Sequence, residues 1–217
     1  MARPSTDAVL EVLRDRYGRT FAREAGITLQ DTPSPLFRLL CLSILVSARI
    51  SSDIALAATR ALAAAGWTTV EKMASSSWEE RTTVLNEAGY ARYDESTARM
   101  LGDTAELVLA RWHGDLREMR EEAERDPDRI HALVQEAKGI GAVGADVFCR
   151  EAQHVWSELR PFADDRVLGP AERLGLGGSP EGLAEHAGTD DLSEVAAAIV
   201  RAELDHAIDD VLAAAAG

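Results

Sequence analysis

Ala137-Lys138-Gly139-Ile140-Gly141-Ala142-Val143-Gly144-Ala145-Asp146-Val147 is a turn set between two stretches of helical periodicity. Two glycines flanking one apolar residue make a tight hairpin, with backbone N–H groups exposed where the second helix starts. Such amides, aligned with the helix dipole, form an anion site suited to a DNA phosphate. The small residues Ala142, Gly144 and Ala145 let the second helix pack closely, and Ile140 would plug the gap between the helices. Taken alone, Gly139-Ile140-Gly141 reads better as a glycine helix cap followed by a new helix. Its meaning depends on what surrounds it.

Outward from the hairpin the chain is helical nearly throughout. Upstream, Asp126-Pro127 is a cap with proline at the first helical position, opening a helix through Ile130, Leu133 and Val134. Downstream, the second helix is expected from about Ala142 to Val155. Arg160-Pro161-Phe162 should be extended, and short helices follow over Asp165–Leu174 and from Ser179-Pro180. A long alanine-rich helix is expected over Asp191–Ala215. Nearer the N-terminus, Leu36 to Leu45 is apolar nearly all round, the pattern of a buried central helix. Ser77-Trp78-Glu79-Glu80 matches a capping box, and Asp94 can cap a long helix to Trp112. Sustained alternation and hairpin dipeptides of the Asn-Gly type are lacking, so the expected class is all-α, with about ten helices.

Composition narrows the function classes. Of 217 residues, 46% are apolar and 28% charged, an ordinary globular balance. No apolar run is long enough for a membrane helix, and the start of the chain has no apolar signal core. A cytoplasmic location without membrane contact is therefore expected. The net charge of −14 argues against a nonspecific nucleic-acid coat. The deficit is uneven: residues 1–60 hold eight arginines against six acids, whereas 176–217 hold Arg201 alone against nine. A local cationic site is compatible with that distribution. The five histidines show no ligand spacing, and phosphate loops, nucleophile elbows and Cys-x-x-Cys pairs are missing.

Residues 30–180 resemble the helix-hairpin-helix DNA glycosylases of the endonuclease III superfamily. Their hairpin reads Leu-Pro-Gly-Val-Gly-x-Lys-Thr-Ala, followed some two dozen residues later by Val-Asp-Thr-His-Val. Here Pro161-Phe162-Ala163-Asp164-Asp165-Arg166-Val167 runs without a gap into Arg173-Leu174-Gly175-Leu176. Ser34-Pro35-Leu36-Phe37-Arg38-Leu39-Leu40, Val46-Ser47-Ala48-Arg49 and Ala88-Gly89-Tyr90 are similar to further family segments in the same order. The resemblance implies a two-lobed fold. One lobe is a helical barrel over residues 26–136, and the other joins 1–25 to 137–217 and carries the hairpin. A cleft between the lobes would hold bent duplex DNA and admit one flipped base.

The resemblance places the catalytic carboxylate at Asp164. Cleaving an N-glycosidic bond builds positive charge on the sugar, which a fixed anion stabilises while orienting water. An Asp ahead of a helix is more commonly a plain N-cap. Asp165 could cap and Asp164 catalyse, or the reverse, and the ungapped alignment favours Asp164. DNA contacts are implied at Lys138, Gly139, Ile140, Gly141, Val143 and Gly144 of the hairpin. Arg49 stands at the position of the residue that fills the stack behind a flipped base, and Arg166 suits a phosphate. The backbone carbonyls of Gln135, Ala137 and Ile140 would hold a monovalent cation.

Two departures restrict the chemistry. Val143 occupies the position of the family's Schiff-base lysine, which implies a monofunctional glycosylase with water as nucleophile. Cys41 and Cys149 are the only cysteines and neither lies in the C-terminal tail, so no iron–sulfur cluster is expected, nor any other cofactor. The substrate would be double-stranded DNA carrying a lesion or mismatch. Two other functions use the same fold: an inactive DNA-binding module, and a protein-interaction module working through the acidic surface.

Overall fold

The computed structural model describes residues 4–217, of which 68% are helical and none is in a strand. Fourteen α-helices are found among those residues. They are α1 (Thr6–Tyr17), α2 (Phe21–Glu24), α3 (Pro33–Ser47), α4 (Ser52–Ala64), α5 (Val70–Ser75), α6 (Trp78–Glu87) and α7 (Asp94–Trp112). They continue with α8 (Leu116–Glu122), α9 (Pro127–Val134), α10 (Ala142–Ala152), α11 (Asp165–Leu174), α12 (Pro180–Ala187), α13 (Ser193–Leu204) and α14 (Ile208–Ala215). The chain divides into two compact units, one spanning Ala22–Phe148 and the other joining the residues up to Phe21 to Cys149–Gly217.

The central unit is built around α3. Leu36, Phe37, Leu39, Leu42 and Leu45 are fully buried, as an all-round apolar helix requires. Helices α4, α7 and α8 pack against it, α5 and α6 lie on α7, and α9 lies on α8. Local capping chemistry sets the ends. The Ser77 hydroxyl accepts from the Glu80 amide while the Glu80 carboxylate accepts from the Ser77 amide, a complete capping box. Asp126 accepts from the Arg129 amide at 2.9 Å, with Pro127 at the first helical position.

Arg81 of α6 is a buried staple in this unit. Its Nε donates to Ala98 O at 2.8 Å, and its Nη1 donates to Met73 O at 3.2 Å, Ser76 O at 2.7 Å and Ser76 Oγ at 2.9 Å. It thereby ties the end of α5 to α7. Room for it comes from Gly102, where any Cβ would collide with the guanidinium. Arg81→Leu leaves Ser76 O without a donor and strips a second donor from Ala98 O, inside α7, and from Met73 O, which still accepts from the Ser76 amide and hydroxyl. One orphaned buried carbonyl costs about 1–3 kcal/mol, and a loss in that range is expected. A urea titration should show a lowered midpoint at unchanged slope.

In the second unit α1 packs on α12, α13 and α14, and α11 packs on α13 and α14. The alanine-rich α13 is buried along nearly its whole length, from Ser193 to Ala202. The continuous helix expected over Asp191–Ala215 is instead two. Asp205 and His206 break it, with His206 at a left-handed φ of 55° and the Ala207 amide turned back onto Ala202 O. The break lets Ile208 and Val211 be buried on α14. Helix α10 likewise stops at Ala152, short of Val155.

The partition also differs from the expected lobes. Its boundaries fall at 21/22 and 148/149 rather than 25/26 and 136/137, which puts the hairpin in the central unit. The reason lies in packing. A Cβ at Gly139 would sit 2.5 Å from Met100 Sδ, and one at Gly144 would collide with Ser47 Oγ and reach Ser43 O at 3.3 Å. The turn and the first part of α10 are seated on α3 and α7.

Candidate functional site

The hairpin joins α9 to α10 and is exposed at its tip. Gly139 adopts a φ of +86°, where side-chain-bearing residues are strained, so this glycine is required by the turn. Ile140 is 6% exposed and lies under the turn, with its amide donating to Ala137 O at 3.1 Å. Gly144 is required by the close approach to α3. Gly141 is different. It is exposed, its φ is not left-handed, and a Cβ there would meet nothing within 4 Å. The fold does not demand glycine at this point.

Gly141 directly precedes α10, and the first turn-closing bond is Ala145 N–H to Gly141 O at 3.0 Å. The amides before Ala145 therefore precede the intrahelical ladder. Helix starts are commonly closed by Ser, Thr, Asp or Asn, whose oxygen takes an amide. A glycine here supplies no such oxygen, and the amides stay available. Ala142 and Val143 beside it are exposed, Val143 by 39%, and Lys138 is exposed on the other side of the turn. The two hairpin helices are clamped by His131 Nε2 against Asp146 Oδ1 at 2.9 Å.

Arg49 lies in the same unit, exposed just beyond the end of α3 and two residues from Ser47. Of the carbonyls expected to hold a cation, Ala137 O already accepts the Ile140 amide and would offer its second lone pair. Gln135 and Ile140 belong to the same turn. No group of three His, Cys, Asp or Glu side chains able to hold a metal is found among the described residues. Cys41 of α3 is buried, and its thiol is pushed up to about 12 by desolvation, against the opposing pull of Arg38. No helix among the described residues is long and apolar enough to cross a membrane.

Asp164 and Arg166 belong to the other unit. Asp164 occupies the N-cap position of α11, with φ −90° and ψ 176°, yet its side chain makes no capping hydrogen bond. Its carboxylate instead faces Arg150 of α10, with Nη1 to Oδ1 at 3.4 Å, and the two side chains are 8% and 6% exposed. Asp165 is the first residue of α11 and is exposed, as is Arg166. The choice between a capping and a non-capping Asp164 is thus resolved against capping.

Gln153, which the sequence did not single out, fixes this loop. It is fully buried; its Nε2 donates to Arg150 O at 2.9 Å and Phe162 O at 3.0 Å. Its Oε1 accepts from the Phe162 amide at 3.1 Å and the Leu192 amide at 3.2 Å. Arg160 closes the same loop by donating to Gln153 O at 2.6 Å and His154 O at 2.7 Å. Asp191 stands next to it. Burial pushes its carboxyl up, but hydrogen bonds from Ser193 and from His154, at 2.9 Å, outweigh burial and hold it below the usual range. Set between Arg150-Glu151-Ala152 and His154, the Gln153 amide carries no local signal that marks it for burial.

A second surface feature of this unit is acidic. An open groove between α1 and α12 is lined by Asp7, Glu11, Asp15 and His186, while Arg14 donates to Ala187 O at 2.9 Å. A phosphate would be repelled there. Comparison with protein-family models, curated proteins and solved structures found no match to this chain.

Proposed function

We propose that this chain is a monofunctional DNA glycosylase that hydrolyses the N-glycosidic bond of a damaged or mismatched base in duplex DNA. The observation that carries the reading is Gly141: an exposed glycine that neither backbone conformation nor packing requires, at the open start of α10. What its missing side chain permits is close approach of an outside group to the backbone amides, and an anion is the group those amides favour. A DNA phosphate fits that chemistry.

Asp164 supplies the second part. An aspartate at an N-cap position most simply stabilises its helix by accepting an amide, and this one does not. It is held inside against Arg150, an arrangement that by itself adds little stability over an apolar pair. A carboxylate fixed in place is what the oxocarbenium-like sugar needs, with water as nucleophile since Val143 offers none. Resemblance of residues 30–180 to the helix-hairpin-helix glycosylases supports the same assignment.

A panel of duplexes, each with one lesion or mismatch, incubated with the protein and then treated with alkali, tests the function. Strand breaks at one lesion after alkali, and none before it, are expected. A second reading, DNA binding without excision, is favoured by the near-complete burial of Asp164. Binding to duplexes with no base release across the panel would establish it instead.

Gly141→Asp tests the phosphate site directly. An aspartate there caps α10, so thermal stability should hold or rise by up to about 1 kcal/mol. Its carboxylate takes the amides from the phosphate, and affinity for duplex DNA should fall at least about tenfold, the weight of one charge-assisted hydrogen bond. A destabilised protein or an unchanged affinity would count against the site.

A further inference from the structure

We propose that the turn over residues 88–93 forms a third phosphate contact through Arg92, beside Arg49 and the hairpin; this rests on the DNA-binding part of the function proposed above. Three segments of the central unit converge at the C-terminal end of α3. The hairpin arrives through Gly144 on Ser47 and Gly139 on Ile44 and Met100. Arg49 follows directly from α3. The turn arrives through Tyr90, which is fully buried and donates its hydroxyl to Leu45 O at 2.8 Å. Leu45 and Ser47 both belong to the last turn of α3, so turn and hairpin reach the same helix end from different sides of it.

Tyr90 anchors the turn and leaves Arg92 outside. The backbone there is fixed by Gly89 at φ +86°, by the Tyr90 amide on Leu85 O at 2.9 Å and by the Thr97 amide on Tyr93 O at 2.9 Å. Arg92 is exposed and lies over the Tyr93 ring, 5.3 Å from its centroid. Stacking restrains the guanidinium and leaves its N–H edge open to an oxyanion. Asp94, two residues on, is committed, accepting from Asn86 Nδ2 and from the Glu95 amide, each at 2.8 Å.

Charge disposition sharpens the point. Several arginines of this unit are neutralised in place, Arg117 by Asp115, Arg120 by Asp31, Arg125 by Glu121 and Arg129 by Glu124, and others are spent on carbonyls, as Arg38 on Gly26 O and Arg60 on Glu24 O. Arg49, Arg92 and Lys138 have no ion-pair partner among the described residues. In a chain of net charge −14, three cations without ion pairs are carried by segments that meet the C-terminal end of α3. The partner they fit is the backbone of duplex DNA, whose phosphates recur along a rail and take several separate cations.

The experiment measures binding of a short fluorescein-labelled duplex with a central abasic-site analogue by anisotropy across a potassium chloride series. Each lost phosphate contact should lower the slope of log affinity against log salt by about 0.9. Arg92→Gln is expected to do so, and Arg92→Lys to retain the wild-type slope. Lys72→Gln removes the same charge at the other end of α7, a helix of 19 residues and about 28 Å, and should leave the slope unchanged. Lys72 lies there because its neighbour Glu71 abuts Gly114, just past the end of α7. If Lys138→Gln lowers the slope and Arg92→Gln does not, the hairpin reading stands and the third contact is overturned. If Lys72→Gln lowers it equally, the effect is net charge and the contact is again overturned. If the wild-type protein binds no duplex at low salt, the functional reading itself fails and takes the contact with it.

Discussion

Asp164→Asn is expected to reduce base release by at least about 10²–10³-fold, the range for removing one fixed electrostatic stabiliser from a transition state. Asparagine keeps the shape and loses the charge. That loss has a second consequence, because Arg150, 6% exposed, is left as an unpaired buried cation. Removing one partner of such a pair costs about 3–5 kcal/mol, so the single variant should also melt earlier. The two effects separate in the double variant Arg150→Gln with Asp164→Asn. Removing both charges should restore much of the thermal stability, since neither group is then left without its counter-charge. Base release should stay lost. A double variant that excises like the wild type would show that Asp164 serves only the fold.

Gln153→Leu is the larger structural test. Leucine fills a similar volume and cannot pair the Phe162 amide and carbonyl, the Leu192 amide or the Arg150 carbonyl, all held by Gln153. Each buried orphan costs about 1–3 kcal/mol, so a loss of at least about 4 kcal/mol is expected, a large part of the total for an ordinary domain. Urea unfolding followed by circular dichroism measures it. Native-state hydrogen exchange should show the Phe162 and Leu192 amides losing protection first. A change below about 1 kcal/mol would mean that water replaces the amide side chain and that the loop before Asp164 is not held by Gln153.

Legibility followed the range of the interactions. Three of the caps formed within three residues were readable: Ser77 with Glu80, Asp126 with Pro127 and Ser179 with Pro180 stand where the spacing placed them, whereas Asp94 is the first residue of α7 and Tyr93 holds the cap position. The apolar run of α3 announced its own burial. Helix α8 was not readable. Its turn is hidden in the acidic run 118–128, and only Leu116 and Met119 are buried. The single closing helix failed for a similar reason. No glycine or proline marks Asp205-His206, and the left-handed His206 is stabilised by packing on both sides of it.

At the site the division is the same. The amino-acid sequence determined an all-helical chain, a glycine-bent turn before α10, an aspartate before α11 and the lack of a lysine at Val143, because each depends on residue type at short spacing. Tertiary structure decided which glycine is dispensable. Gly139 is held by φ and Met100, Gly144 by α3, and Gly141 by nothing in the chain. It also decided that Asp164 meets Arg150 rather than its own helix, and that Gln153 binds Leu192, 39 positions away. Such pairings arise only when packing excludes water and buried polar groups must find each other. No local pattern encodes them.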